Sequence, residues 1–234
     1  MGNRREIVAP VRYDPTRRSL YSPESGAPLA PALFAGNGDA LAAELARLAY
    51  WRFEADPAPL TTALAAHGLR EITLFHDAGV NSQGFVALDG AGTAWCAFRG
   101  TQPDSLKDLA NDVRAWPCEW PGGGKVHAGF ARAWLGTGPE PGLAAQVAQW
   151  LAQRGPARLV VTGHSLGAAL ATLCAAEHGQ AELVSFGSPR VGNADFAARF
   201  AGRKARRRVD CCDVITRIPP EPLYAHVGAL HYHD

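Results

Sequence analysis

Residues Leu159-Val160-Val161-Thr162-Gly163-His164-Ser165-Leu166-Gly167-Ala168-Ala169-Leu170 set an apolar run directly before a serine with glycine at both second neighbours, and a helical pattern directly after it. Few folds accept that order. A strand that turns into a helix at a single residue forces it into a strained backbone conformation. The residues two before and two after must then be small enough for strand and helix to pass. Gly163 and Gly167 meet that demand. Leu166, Leu170 and Leu173 recur at helical spacing, and Ala168, Ala169 and Ala171 let the helix lie close on a sheet. The stretch has the layout of a nucleophile elbow with Ser165 at its tip.

The rest of the chain alternates in the same style. Short helices are expected from Asp39, as cap, through Trp51 and over Leu60 to His67. Strands follow over Glu71–His76, Gly84–Leu88 and Thr93–Phe98. Pro103 to Asn111 reads as a short helix, at the point where a small lid would sit. Asp112 to Trp120 returns to the sheet, and Pro121-Gly122-Gly123-Gly124 is a loop. Helices over Val126–Leu135 and Pro141–Arg154 precede the elbow strand. After the elbow helix come a strand at Leu183–Phe186 and the loop Gly187–Asn193, then another helix and a last parallel strand, Val209–Cys212. Strands alternating with helices predict a mostly parallel sheet covered on both faces, an α/β fold with its site at the carboxyl ends of the strands. Residues 1–36, with Pro10, Pro15, Pro23, Pro28 and Pro31, read as an extended arm, and residues 37–234 as one domain, either whole or truncated at its C-terminus.

Composition narrows the function. The net charge of +1 offers no global attraction to nucleic acid. The basic cluster Arg199, Arg203, Lys204, Arg206, Arg207 and Arg208 has no aromatic interleaving, so a solvated loop or a patch meeting anionic lipid is expected there. The 5 cysteines are odd in number and lack ligand spacing, so no disulfide framework, metal or other cofactor is implied. No run is long enough to span a bilayer. Met1-Gly2-Asn3-Arg4-Arg5 leads into Pro10 and Asp14 instead of an apolar segment, which predicts a cytoplasmic protein, or a secreted one if a leader has been removed.

Two further stretches carry chemistry. A serine hydrolase needs two backbone N–H groups for the oxyanion, one from the residue after the nucleophile and one from a loop that follows another strand. Leu166 supplies the first, and Thr101 in Phe98-Arg99-Gly100-Thr101 is the candidate for the second. The triad acid is expected just past a strand that follows the nucleophile strand. Asp213, after Val209-Asp210-Cys211-Cys212, fits, with Asp210 as a rival inside the strand and Asp195 in helix context.

These stretches, with Val126-His127-Ala128-Gly129-Phe130, Phe186-Gly187-Ser188-Pro189-Arg190-Val191-Gly192-Asn193 and Asp213 through Pro220, resemble the class-three lipases, a family of fungal-type triacylglycerol lipases with bacterial and plant relatives. The resemblance spans about residues 37–230. It implies an α/β hydrolase cleaving carboxylic esters of lipids, with Ser165 as nucleophile, Asp213 as acid, and Thr101 and Leu166 as oxyanion donors. His127 would be a scaffold residue. In such relatives the catalytic histidine follows the acid by several tens of residues, so the base is either a residue beyond Asp234 or a local histidine: His226, His231 or His233. With the connection from Asp213 to Tyr224 judged too short to cross the sheet, the following strand should run away from the catalytic edge, which makes His226 the nearest candidate. The rival expectation is a lipid-binding or scaffolding hydrolase fold without a base. Phospholipase A1 or feruloyl-type esterase activity is the alternative among enzymes.

Overall fold

A computed structural model describes residues 23, 26–34, 36–100, 116–210 and 213–233. The expected arm over residues 1–36 falls largely outside the described residues, as do Thr101 and the helix expected over 103–111. In chain order the described elements begin with helices α1 (Gly38–Leu48) and α2 (Ala58–Ala66), then strands β1 (Arg70–Asp77), β2 (Ser82–Leu88) and β3 (Thr93–Phe98). Next come a hairpin of β4 (Pro117–Glu119) and β5 (Lys125–His127), helices α3 (Ala128–Leu135) and α4 (Leu143–Arg154), and the elbow pair β6 (Arg158–His164) and α5 (Leu166–Glu177). Strand β7 (Glu182–Phe186), helix α6 (Ala194–Ala198), strand β8 (Ala205–Asp210), a 3-10 turn at Val214–Arg217 and strand β9 (Ala229–His233) complete it.

The large sheet has the order β1-β2-β3-β6-β7-β8-β9. β1, β2 and β3 pair antiparallel, and from β3 to β9 every neighbour is parallel. The central strands are buried on both faces, which is why β3 is apolar throughout and does not alternate. On one face Leu45 and Leu48 of α1 and Leu60 and Leu64 of α2 pack on Phe85, Trp95 and Val160. On the other, α3, α4 and α5 bring Trp134, Val147, Leu170 and Leu173 against Val86, Cys96 and Val161. This is the mostly parallel α/β architecture the alternation predicts. The carbonyls of Pro23, Gly26 and Ala27 accept from Arg47 of α1, and Leu29 N–H donates to Glu44.

Three local expectations change. Asn37, not Asp39, caps α1, its side chain accepting from Ala40 N–H. Asp39 lies in the first turn, where it receives Arg206 and Arg208 of β8. The basic cluster is therefore not a solvated loop at its centre: Arg206, Arg207 and Arg208 are strand residues, and Val209 and Asp210 end the strand. Burial raises the Asp39 pKa, but the hydrogen bonds from Arg208 and Arg206 outweigh it and hold the carboxyl below the usual carboxylate range.

The third change concerns the last strand. β9 pairs parallel to β8, with Ala229 beside Arg206 and His233 beside Asp210. It therefore runs toward the catalytic edge, the reverse of the expected direction. The connection does not end at Tyr224. It continues through Ala225, which pairs with Gly192, to Gly228, which lies against the backbone of Ala205 at the amino end of β8. Residues 218–228, with a turn at 221–223 and a bridge at Ala225, thus carry the chain back along a short strand without a helix.

Candidate active site

The elbow shows why both glycines are needed. Ser165 has φ 56° and ψ −123°, a positive φ that is strained for a residue with a side chain. A Cβ on Gly163 would strike the Gly167 carbonyl group and come within 2.8 Å of Ala168 N; one on Gly167 would strike Phe98 O and come within 2.9 Å of Arg99 C. Strand β6, helix α5 and the end of β3 thus meet backbone to backbone. Ser165 N–H donates to Phe186 O of β7 at 3.1 Å, pinning the turn to the next strand. Leu166 is the first residue of α5, where an N–H has no intrahelical acceptor and points out of the helix end. Ser165 is fully buried, and its Oγ has no hydrogen-bond partner among the described residues.

The end of β3 is held from α1 by a group that sequence reasoning treated only as part of a motif. Arg99, 7% exposed, donates Nε to Ala49 O at 2.8 Å and Nη2 to Trp51 O, and forms a two-toothed pair with Glu54 at 2.8 Å for each tooth. Those bonds keep the Glu54 carboxyl below its usual range. Arg99 therefore fixes the strand end from which Gly100 leads into Thr101. Thr101 itself lies outside the described residues. The signal was present in Phe98-Arg99-Gly100-Thr101, but its partner Glu54 lies 45 residues upstream in an unremarkable loop.

Asp213 stands past the end of β8. Its Oδ1 accepts Ile215 N–H at 2.9 Å and its carbonyl accepts the Thr216 hydroxyl at 2.7 Å, so the acid caps the 3-10 turn that follows it. Its Oδ2 faces the space over Gly187, a left-handed glycine at φ 53°, and His164 Nε2 lines the same space, 3.2 Å from where a Gly187 Cβ would sit. His164 keeps part of its surface open to solvent, yet the protein crowded around the ring lowers its pKa, while the Asp213 carboxylate raises it. Its Nδ1 lies 2.8 Å from the hydroxyl of Tyr50, a residue just past α1 that sequence reasoning assigned to nothing but a helix end.

The expectation that His226 is the histidine nearest the site rested on the direction of the last strand, and that direction is reversed. His226 sits in the connection before β9, where its Nε2 donates to Thr216 O at 2.8 Å and its buried Nδ1 has no partner among the described residues. Burial first, then the cations of Arg207 and Arg190, push its pKa down to about 4. Such a ring is neutral at pH 7 and a weak proton acceptor. On β9, His231 stands beside Arg208 in mid-strand and His233 beside Asp210 at the carboxyl end. His127, 1% exposed, stacks 4.4 Å from Phe130 and 5.9 Å from Tyr224, a packed scaffold position.

A family model described as Lipase (class 3) matches residues 95–223. The lipase of Rhizomucor miehei is 34% identical over 158 residues, covering 62% of this chain and 42% of the relative. Secreted mono- and diacylglycerol lipase 1 of Fusarium solani is 38% identical over 125 residues, covering 50% of this chain and 37% of the relative. The chain thus spans less than half the length of these curated relatives. Among solved structures, a Rhizomucor miehei triacylglyceride lipase superposes with a TM-score of 0.69 at 26% identity, covering 85% of this chain and 80% of that one. Since that family model matches more than half of the sequence, the chain belongs to the class 3 lipase family.

Proposed function

We propose that this protein hydrolyses carboxylic ester bonds of lipids through an acyl-enzyme on Ser165. The observation that carries the reading is the strained Ser165 at the end of β6, set at the start of α5 so that the Leu166 N–H faces a developing oxyanion. Thr101 N–H, just past the strand end that Arg99 anchors, is the second donor. Asp213, two strands over, is the acid. We assign the base to a histidine that reaches over from the carboxyl end of β9, the end that carries His233, and not to His226, whose Nε2 is committed to a backbone carbonyl. That end is three strand spacings from β6, about 14 Å.

In the first half-reaction the histidine takes the Ser165 proton, the oxygen attacks the acyl carbon, and the leaving alcohol receives the proton. Water then cleaves the acyl-enzyme by the same route. Among the described residues no helix is long and apolar enough to cross a membrane. The names of the relatives support mono-, di- or triacylglycerols as substrates and favour an extracellular site of action over the cytoplasmic one. The test is fluorophosphonate labelling of Ser165 with hydrolysis of a nitrophenyl ester chain-length series. Ser165→Ala should abolish both, with a loss in turnover on the order of 10⁴-fold or more. Unchanged turnover in that variant overturns the reading, whereas lipid binding without labelling assigns the fold to a non-catalytic role.

A further inference from the structure

The three consecutive arginines of β8 are treated unequally by the fold. Arg206 and Arg208 both pair with Asp39 of α1. Arg207 lies on the opposite face of the sheet, as alternation along a strand requires. It is 8% exposed, its Nε is buried without a hydrogen-bond partner, and among the described residues no carboxylate forms an ion pair with it. The groups that act on it electrostatically are Arg190, a like charge, and the Tyr232 phenol, which is neutral at pH 7. Arg190 spends its Nη groups on Arg217 O, Pro219 O and Glu221 and keeps Nε buried without a partner among the described residues. His226, which feels both cations, keeps Nδ1 in the same condition. A cation taken out of water ordinarily has a counter-charge, because its desolvation is otherwise uncompensated.

The surface beside Arg207 is apolar and aromatic. Leu230 is its cross-strand partner, and Tyr232, two residues on, is the partner of Val209, so both side chains share the face of Arg207. Leu230 and Tyr232 are exposed, and so is Leu223, two residues from the Glu221 that pairs with Arg190. We propose that Arg207 anchors a binding site for an oxyanion that carries an apolar tail, a long-chain carboxylate or the phosphate of an anionic lipid, with Leu230 and Tyr232 lying along the tail. A guanidinium fork matches carboxylate and phosphate oxygens alike, and Arg190 adds a second positive field. Leucine and tyrosine at the rim favour an amphiphile over a hydrated inorganic anion, since the tyrosine ring meets the tail while its hydroxyl stays wet. The site draws on no residue of the proposed hydrolytic machinery, so binding here and turnover at Ser165 succeed or fail separately.

The test follows the Arg207 Nε–H resonance of the 234-residue chain, assigned by its loss in Arg207→Met and Arg207→Lys, as decanoate, decanol or inorganic phosphate is added. Decanoate monomers should shift it saturably at concentrations where decanol and phosphate leave it in place. Leu230→Glu sets a carboxylate opposite Arg207 and should weaken decanoate binding at that resonance about 10-fold or more. Vesicle flotation supplies the second arm: diether phosphatidylglycerol, which has no ester to hydrolyse, should retain the native chain, and diether phosphatidylcholine should not. Leu230→Glu should reduce that retention by a similar factor. A response to decanoate alone assigns the site to free fatty carboxylates, and a response to vesicles alone assigns it to the lipid headgroup. An equal shift with phosphate would remove the tail from the proposal, and an equal shift with decanol would remove the anion; either overturns it. Native affinity for both ligands in Leu230→Glu, or no response to either in the native chain, overturns Arg207 as the anchor.

Discussion

The elbow and the β8–β9 connection leave the same edge of one sheet and are built in opposite ways. At the elbow, three backbones meet with no room for a methyl group, and α5 is buried around its whole circumference from Gly167 to Ala176. In the β8–β9 connection, one backbone group holds each side chain, the Thr216 carbonyl for His226 and the Ile215 amide for Asp213, and the outer strand exposes Leu230 and Tyr232 at 41% and 64%. Steric close packing leaves a residue-type signature, because only glycine fits. A connection held by backbone amides and carbonyls leaves none, because any sequence has them.

That contrast breaks most sharply at Gly167. Gly167→Ala drives a Cβ into the Phe98 carbonyl, and a loss of about 4 kcal/mol or more, or no folded protein at 25 °C, is expected by urea unfolding. A tolerated alanine would mean that the elbow is as yielding as the connection. Arg99→Met should cost about 3 kcal/mol, since it strands the Glu54 carboxylate and the Ala49 and Trp51 carbonyls together. A melt within 2–3 °C of native would show that β3 needs no anchor, with degrees here of the order expected for small changes.

In the β8–β9 connection the effects are smaller and depend on pH. Folding keeps His226 neutral down to about pH 4, whereas in the unfolded chain it protonates near its ordinary value of 6.5. Between those limits the unfolded state binds the extra proton, so stability is full above about pH 6.5 and falls as the pH drops toward 4. Allowing for the partial exposure of the ring, the loss is about 1–2 kcal/mol. His226→Gln should flatten that part of the pH–stability curve and leave fluorophosphonate labelling unchanged; an unaltered slope would move the titrating group elsewhere. The smallest effect is expected at Leu230, which pairs with Arg207 across β8 and β9. Arg207 is 8% exposed, and burial lowers its pKa, so Leu230→Glu should supply a partner and stabilise by about 0.5 kcal/mol in chemical unfolding. Destabilisation would show that the guanidinium is already satisfied by solvent.

How much of this was legible in the sequence follows from the same contrast. The elbow turn, the apolar central strands and the place of Asp213 just past β8 could be read from local spacing, since each is determined by neighbours within a few residues. The direction of β9 could not. It depends on residues 218–228 turning at 221–223 and pairing Ala225 with Gly192 on the way back to the start of β8, and a run with Pro219, Pro220, Pro222 and Gly228 looks equally like a surface loop. The Tyr50–His164 bond spans 114 residues and the Arg99–Glu54 pair 45, so neither leaves a local pattern. The basic cluster was misread for a related reason: its neutralising Asp39 lies 167 residues away from Arg206.

That separation bears on how the polypeptide is made. Helix α1 leaves the ribosome early, with Leu45 and Leu48 destined for burial, but the strand whose Thr162 hydroxyl grips the Ala42 carbonyl is synthesised 120 residues later, and the arginines that clamp Asp39 later still. The apolar face of α1 cannot close until β6 is in place. Ribosomes add about 5–20 residues per second, so the helix spends several seconds with its apolar side uncovered, a window in which nascent-chain chaperones have something to hold.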